Sequence, residues 1–264
     1  MEIKIAVKNQ DNILSESEGN NRVSLVYADE YCSGDYIELY CLEAGFYQIQ
    51  LEDTLPPTLV YIKEKVKFRI PTEEAAKRCY SPRAFGGLHH LITVQKADEN
   101  YVKIRRNLAY NPHDQSEITG MYPHALANVV TRNETIFVAR NAIDGIFANT
   151  EHYFYPYQSW GINRDSNAQL KIEFGVPVNL DEIVITLRAD YPHDSYWVKA
   201  TIEFSDGSKE IITLEKLATP QAFPVQKEGI TWIVLKELIK AEDDSQFPAL
   251  TQIEAWGCVL TKGN

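Results

Sequence analysis

Residues 180–204 read LDEIVITLRADYPHDSYWVKATIEF, two alternating apolar runs on either side of RADYPHDSY. Period-two alternation puts Ile183, Ile185 and Leu187 on one face, and Thr186, Arg188 and Asp190 on the other. In the second run Val198, Ala200, Ile202 and Phe204 form the apolar face, leaving Trp197, Lys199, Thr201 and Glu203 opposite. Both runs are predicted strands. The segment between them is odd for a turn: solvated turns need Gly, Asn, Asp or Ser for backbone reasons, not two tyrosines and a flanking tryptophan.

The same periodicity extends in both directions. ATIEF-SDGS-KEIITL is a predicted hairpin turning at Asp206-Gly207, and KIEF (171–174) is a further strand. Upstream, EIKIAV, RVSLVYA, DYIELYCL, FYQIQL, TLVYIKEKVKFRI and HHLITVQ repeat the pattern. Helical spacing is brief. EEAAKRC (73–79) fits one short helix, and Leu235, Leu238 and Ile239 in LKELIKAEDD fit the apolar stripe of another. Short strands with almost no helix predict an all-β protein of two β-sandwich domains. The polar, turn-rich NPHDQSEITGMYPH (111–124) is the expected boundary, dividing the chain into 1–115 and 120–264.

Composition narrows the function. A 264-residue chain with 44% hydrophobic and 24% charged residues buries a sizeable core. Its net charge of −11 argues against nucleic acid or an anionic membrane, and KIRR (103–106) is too short a basic patch to reverse that. No run approaches the ~20 apolar residues that span a bilayer. MEIKIAVKNQ lacks a basic segment followed by an apolar core, so the expected location is cytoplasmic, or extracellular if a leader has been removed. Cys32, Cys41, Cys79 and Cys258 show neither a CxxC pair nor zinc spacing.

Two loops carry chemistry. Arg188, Asp190, His193, Asp194 and Trp197 crowd one end of the predicted sheet. A pyranose presents a C–H face that stacks on indole or phenol, and a hydroxyl rim that fixed side-chain donors and acceptors hold. The plainer alternative stands beside this: an Arg188–Asp190 cross-strand ion pair and a Trp197 that caps the core. The second loop, 139–163, contains Asp144-Gly145, Asn149, His152, five aromatics from Tyr153 to Trp160, and Asn163. Long irregular segments in compact domains commonly bind ligands. In the first half only SPRAFGGLHH (81–90) resembles a site, and His89-His90 reads as structural because neighbouring strand residues face opposite sides.

Taken in order, NAIDG (141–145), SW (159–160), LKIEFGVPVNLDEIVI (170–185), SDG (205–207) and TQIEAWG (251–257) resemble the discoidin or coagulation-factor C-type domain. That is a galactose-binding-like jelly roll found in many carbohydrate-binding modules. YPHALANVVTR and YPHDSYW look most like a bacterial subgroup. The resemblance covers roughly 120–262 and implies a jelly roll with ligand loops at one end. It also implies a structural calcium ion, with Asp144 and Glu254 as matching ligands and carbonyls of the 147–160 loop completing the shell. The loop is longer than the family's usual form.

The resulting expectation is non-catalytic binding of a glycan or small saccharide. Trp160 and Trp197 would be stacking platforms; Arg188, Asp190, His193 and Asp194 would grip hydroxyls, with His124 contributing from the start of the second domain. On this view Trp197→Ala abolishes binding and leaves the melting temperature nearly unchanged. One alternative is a carbohydrate-active hydrolase using the His/Asp-rich loop, with Asp190 and Asp194 as its carboxylates. Another is an interaction module whose aromatic loops form a dimer interface; a homodimer is compatible with the sequence.

Overall fold

The computed structural model of the chain describes residues 2–148, 154–190 and 194–260. The architecture is the expected one, all-β with two sandwiches. In the first half, alternation in sequence becomes alternation in burial: strand Arg22–Tyr27 buries Val23, Leu25 and Tyr27 and exposes the residues between them. One sheet is ordered Asn12–Gly19, Ile3–Asn9, Asp35–Cys41, Val66–Arg69. The other is ordered Met121–Tyr122, Thr58–Ile62, Gly45–Gln50, His90–Lys96, Arg22–Tyr27. Ile5, Leu39 and Phe68 of the first pack with Ile49, Val60 and Ile92 of the second in one core. EEAAKRC supplies a single helical turn, Glu74–Lys77.

The second half is one continuous antiparallel sheet bent around its own core. Its main path runs Trp160–Gly161, Ala249–Val259, Leu170–Leu187, Gln221–Lys240, Trp197–Phe204, Lys209–Thr213, with His124–Ala127 added against Leu170–Leu187. Strands this long turn corners only where the ladder is interrupted. In Leu170–Leu187 the register breaks repeatedly between Glu173 and Glu182. Gly175 sits in that break at φ +74°, where a Cβ would lie 2.5 Å from the Tyr122 ring, so the corner requires glycine. Trp160, Phe174, Ile202 and Ile253, from four strands, meet in the enclosed core. Among the described residues no helix is long and apolar enough to cross a membrane.

Two expectations are corrected. LKELIKAEDD is not helical; most of it belongs to strand Gln221–Lys240. Thr201 pairs with Lys236 and Lys199 with Ile239, so this strand carries an extra residue, and Glu237 takes a φ of +51° to accommodate it. The bulge buries both Leu235 and Leu238, three residues apart, which mimics helical spacing. Trp197 is also misplaced by simple parity. It pairs with Lys240 while Lys199 pairs with Ile239, a second bulge, and Trp197 turns inward into the core.

The polar boundary segment is not a solvated linker. Arg106–Asn107 pairs with Trp256 and Gly257 of the second sheet, Met121–Tyr122 with the first, and His124–Ala127 with the second again. Between these crossings Asn111, His113 and Asp114 are fully buried. Buried polar groups must be hydrogen-bonded. Asn111 Nδ2 donates to Pro123 O at 2.8 Å, and His113 Nε2 donates to Pro56 O at 3.1 Å. Asp114 accepts from His124 Nδ1 at 2.7 Å and from the Ala125 amide at 2.8 Å. NPHD therefore forms the polar core of a junction that fastens the halves together.

Candidate functional site

Of the saccharide grip expected around residues 188–197, Trp160, Arg188 and Trp197 are buried. Trp160 and Trp197 are fully buried, packed on each other with ring centroids 6.3 Å apart. Trp160 Nε1 donates to Val129 O at 3.1 Å. Neither indole offers a face to a ligand. Arg188 is 1% exposed and its guanidinium is committed: Nε and Nη2 donate to Asp190 at 2.8 and 3.0 Å, and Nη1 to Tyr157 O at 2.6 Å. Its Cζ lies 4.5 Å from the Tyr157 ring centroid. The ion pair forms within one segment, between residues two apart, rather than across strands. Asp190 and Asp194 are half-buried, and next to them Ser195 Oγ donates to Asp243. His124 is held by Asp114 inside the junction, and His193 lies outside the described residues. The structure thus brings Trp160 to Trp197 and Arg188 to Asp190, and among the described residues it gathers no open cluster from the set.

The implied calcium ligands do not fit a metal. Asp144 is fully buried and both its oxygens already accept N–H groups: Ile146 N at 2.9 Å and Gln252 Nε2 at 2.8 Å on one, Gln158 Nε2 at 3.2 Å on the other. The Arg140 guanidinium stands 3.8 Å away as its counter-cation. Burial pushes the Asp144 carboxyl above its ordinary pKa, against the pull of Arg140. Glu254 accepts from Trp256 Nε1 at 2.9 Å. Calcium needs several hard oxygens free at once. Among the described residues no group of three or more His, Cys, Asp or Glu is placed to hold a metal.

What stands open is a cleft between the halves. One lobe, about 780 Å³, is lined by Glu74, Lys77 and Arg78 from the first half, and by Glu134, Phe154 and Tyr155 from the second. A neighbouring lobe of about 650 Å³ runs along Lys67, Arg69 and Gln115. Behind them lies a smaller cavity of about 210 Å³. Tyr80 lines all three, and Arg140 lines the second and third. Phe154 is 66% exposed, an aromatic face presented to water beside ionic side chains. Glu134 sits between the 3₁₀ turns Thr131–Asn133 and Thr135–Phe137, Arg140 lies in the 3₁₀ turn Ala139–Ala142, and the helical turn Glu74–Lys77 carries Glu74 and Lys77. The sequence marked 139–163 for its aromatics and 73–79 only as a helix. That these two segments would meet, and that Arg140 would be their buried pivot, left no local signal.

No family model and no curated protein matches the chain. Among solved structures it is similar to a fucose-binding module from Streptococcus pneumoniae, at 12% identity and a TM-score of 0.41, covering 61% of this chain and 99% of that one. It is also similar to a family 32 carbohydrate-binding module from C. perfringens NanJ in complex with galactose, at 18% identity and a TM-score of 0.37, covering 50% and 91%. A third is an F5/8 type C domain from Bacteroides fragilis, at 14% identity and a TM-score of 0.39, covering 52% and 91%.

Proposed function

We propose that the chain binds saccharides, without turning them over, in the cleft between its two halves. The observation that carries this reading is the exposed Phe154 ring set with Tyr155 against Glu74, Lys77, Arg78 and Glu134. An apolar platform rimmed by mixed donors and acceptors matches the C–H face and hydroxyl edge of a pyranose. A platform for an apolar ligand would lack the ionic rim, and a phosphate site would lack the two carboxylates. The lobe's volume falls within the ~300–1,000 Å³ typical of small-ligand sites.

The test is a glycan array followed by calorimetric titration of the best binder into the wild-type chain and Phe154→Ala. We expect affinity to fall at least tenfold in the variant, the scale of ~1–3 kcal/mol for one lost stacking contact. Unchanged affinity in Phe154→Ala sinks the cleft assignment, and release of free sugar from the bound glycan sinks the non-catalytic part.

A further inference from the structure

The lobe of about 650 Å³ is walled on one side by residues of the strand Val66–Arg69. That strand is the last of its sheet: one edge pairs with Asp35–Cys41, and among the described residues no strand pairs with the other. In an antiparallel ladder alternate residues turn both their N–H and their C=O away from the partner strand. Arg69 is one of these. Its N–H donates to Gln115 Oε1 at 2.9 Å, and its C=O accepts from Gln115 Nε2 at 2.8 Å. Lys67, two positions earlier, turns its N–H and C=O the same way, and no described residue bonds them. Its ammonium lies over Tyr36, 3.9 Å from the ring centroid. One rung of this edge is therefore filled by a side chain, while the next, on a residue that lines the lobe, keeps a donor and an acceptor side by side.

We infer that the main chain of Lys67 holds two neighbouring hydroxyls of a sugar residue, as a second subsite for the glycan that stacks on Phe154. This deepens the saccharide reading and rests on it. The two lobes share Thr72 and Tyr80, so one glycan reaches both. The rung itself selects the chemistry. A carboxylate or phosphate only accepts and leaves the C=O unmet, whereas an ammonium only donates and leaves the N–H unmet. A hydroxyl does either, and adjacent ring hydroxyls stand side by side as the N–H and C=O of one residue do. An extended peptide adds to a sheet edge through successive rungs, and Gln115 already occupies the following one.

A sheet edge tolerates proline where the N–H faces away from the ladder, so Lys67→Pro removes the donor and leaves the strand. Lys67→Ala removes only the ammonium, and the factor between the two variants isolates the main chain. Ser116 is exposed and lines this lobe but not that of Phe154, so Ser116→Leu crowds the rung by another route. The probe is the best glycan from the array, intact and after periodate, which splits the bond between two hydroxyl-bearing carbons. Thermal unfolding verifies that each variant folds; if Lys67→Pro does not, Ser116→Leu decides. We expect Lys67→Pro to bind the intact glycan at least tenfold more weakly than Lys67→Ala, and Ser116→Leu at least tenfold more weakly than the wild type. The wild type should prefer intact over cleaved glycan by a factor that shrinks about tenfold in Lys67→Pro. Equal affinities of Lys67→Pro and Lys67→Ala, or an undiminished preference in Lys67→Pro, overturn the subsite; if Phe154→Ala still weakens binding, the cleft stands without it. Binding of tetra-alanine that Lys67→Pro abolishes overturns it in favour of a peptide. If no glycan binds the wild type, the saccharide reading fails and this one with it.

Discussion

Two segments of this chain place aromatic rings beside charged side chains, and the fold treats them oppositely. Around 188–197, Arg188, Trp197 and their neighbour Trp160 are shut away, with Arg188 spent on Asp190 and Tyr157. Around 154–155, Phe154 keeps two thirds of its surface in water and faces the charged rim carried by the other half. Residue types alone do not separate a binding surface from a polar-edged core. A single inserted residue in a ladder does, because it rotates every later side chain to the other face.

Substitutions can break or sharpen that contrast. The largest effect belongs to Trp197→Ala, which leaves a cavity against Trp160 and should cost about 3–5 kcal/mol in urea unfolding. A loss below 1 kcal/mol would place Trp197 at a surface and return it to the list of candidate stacking platforms. The next is a pH effect at the junction. Burial lowers the pKa of His113 to about 4. Between pH 6.5 and 4 the unfolded chain therefore takes up a proton that the fold excludes, and stability should fall by about 3 kcal/mol as the medium acidifies. His113→Gln should flatten this limb of the pH–stability curve; an equally steep limb in the variant assigns it elsewhere. His124 acts in the opposite direction. Burial alone would lower its pKa, but the hydrogen bond and charge of Asp114 prevail and raise it. Its contribution is complete below the ordinary histidine pKa and fades as pH climbs through the raised value.

Smaller still is the stability change in Phe154→Ala, expected within about 0.5 kcal/mol because the ring packs on little. A large loss would make Phe154 a structural prop. At the bottom of the scale, millimolar calcium or EDTA should leave the melting temperature unchanged, since the Asp144 oxygens are already occupied by N–H groups. A rise on adding calcium would reverse that conclusion.

The strands were legible because their alternation is a direct record of which face meets the core, as in Arg22–Tyr27. The two corrections on the long strands share one cause. The bulge near Glu237 dressed a strand in helical spacing, and the bulge beside Trp197 inverted its expected face. Both insertions are registered only in the partner strand, so no window along the chain contains them. The burial of NPHD was illegible for a different reason: buried and solvated polar residues look alike until their hydrogen-bond partners are known, and those of Asn111, Asp114 and His113 lie from ten to more than fifty residues away. The candidate site was half legible. The aromatic run near 154 drew notice by composition, whereas Arg140 and the 73–79 segment gain meaning only when two distant parts of the chain meet.

The junction has a consequence for how the molecule can be taken apart. The peptide stitches the second sheet at Arg106–Asn107, the first at Met121–Tyr122, and the second again at His124–Ala127. No single scission yields two self-sufficient pieces: a cut before the first stitch strips the first sheet of its last strand, and a cut after it leaves a raw edge on Ala249–Val259. The halves are therefore a dovetail rather than beads on a string, joined at three stretches of strand pairing.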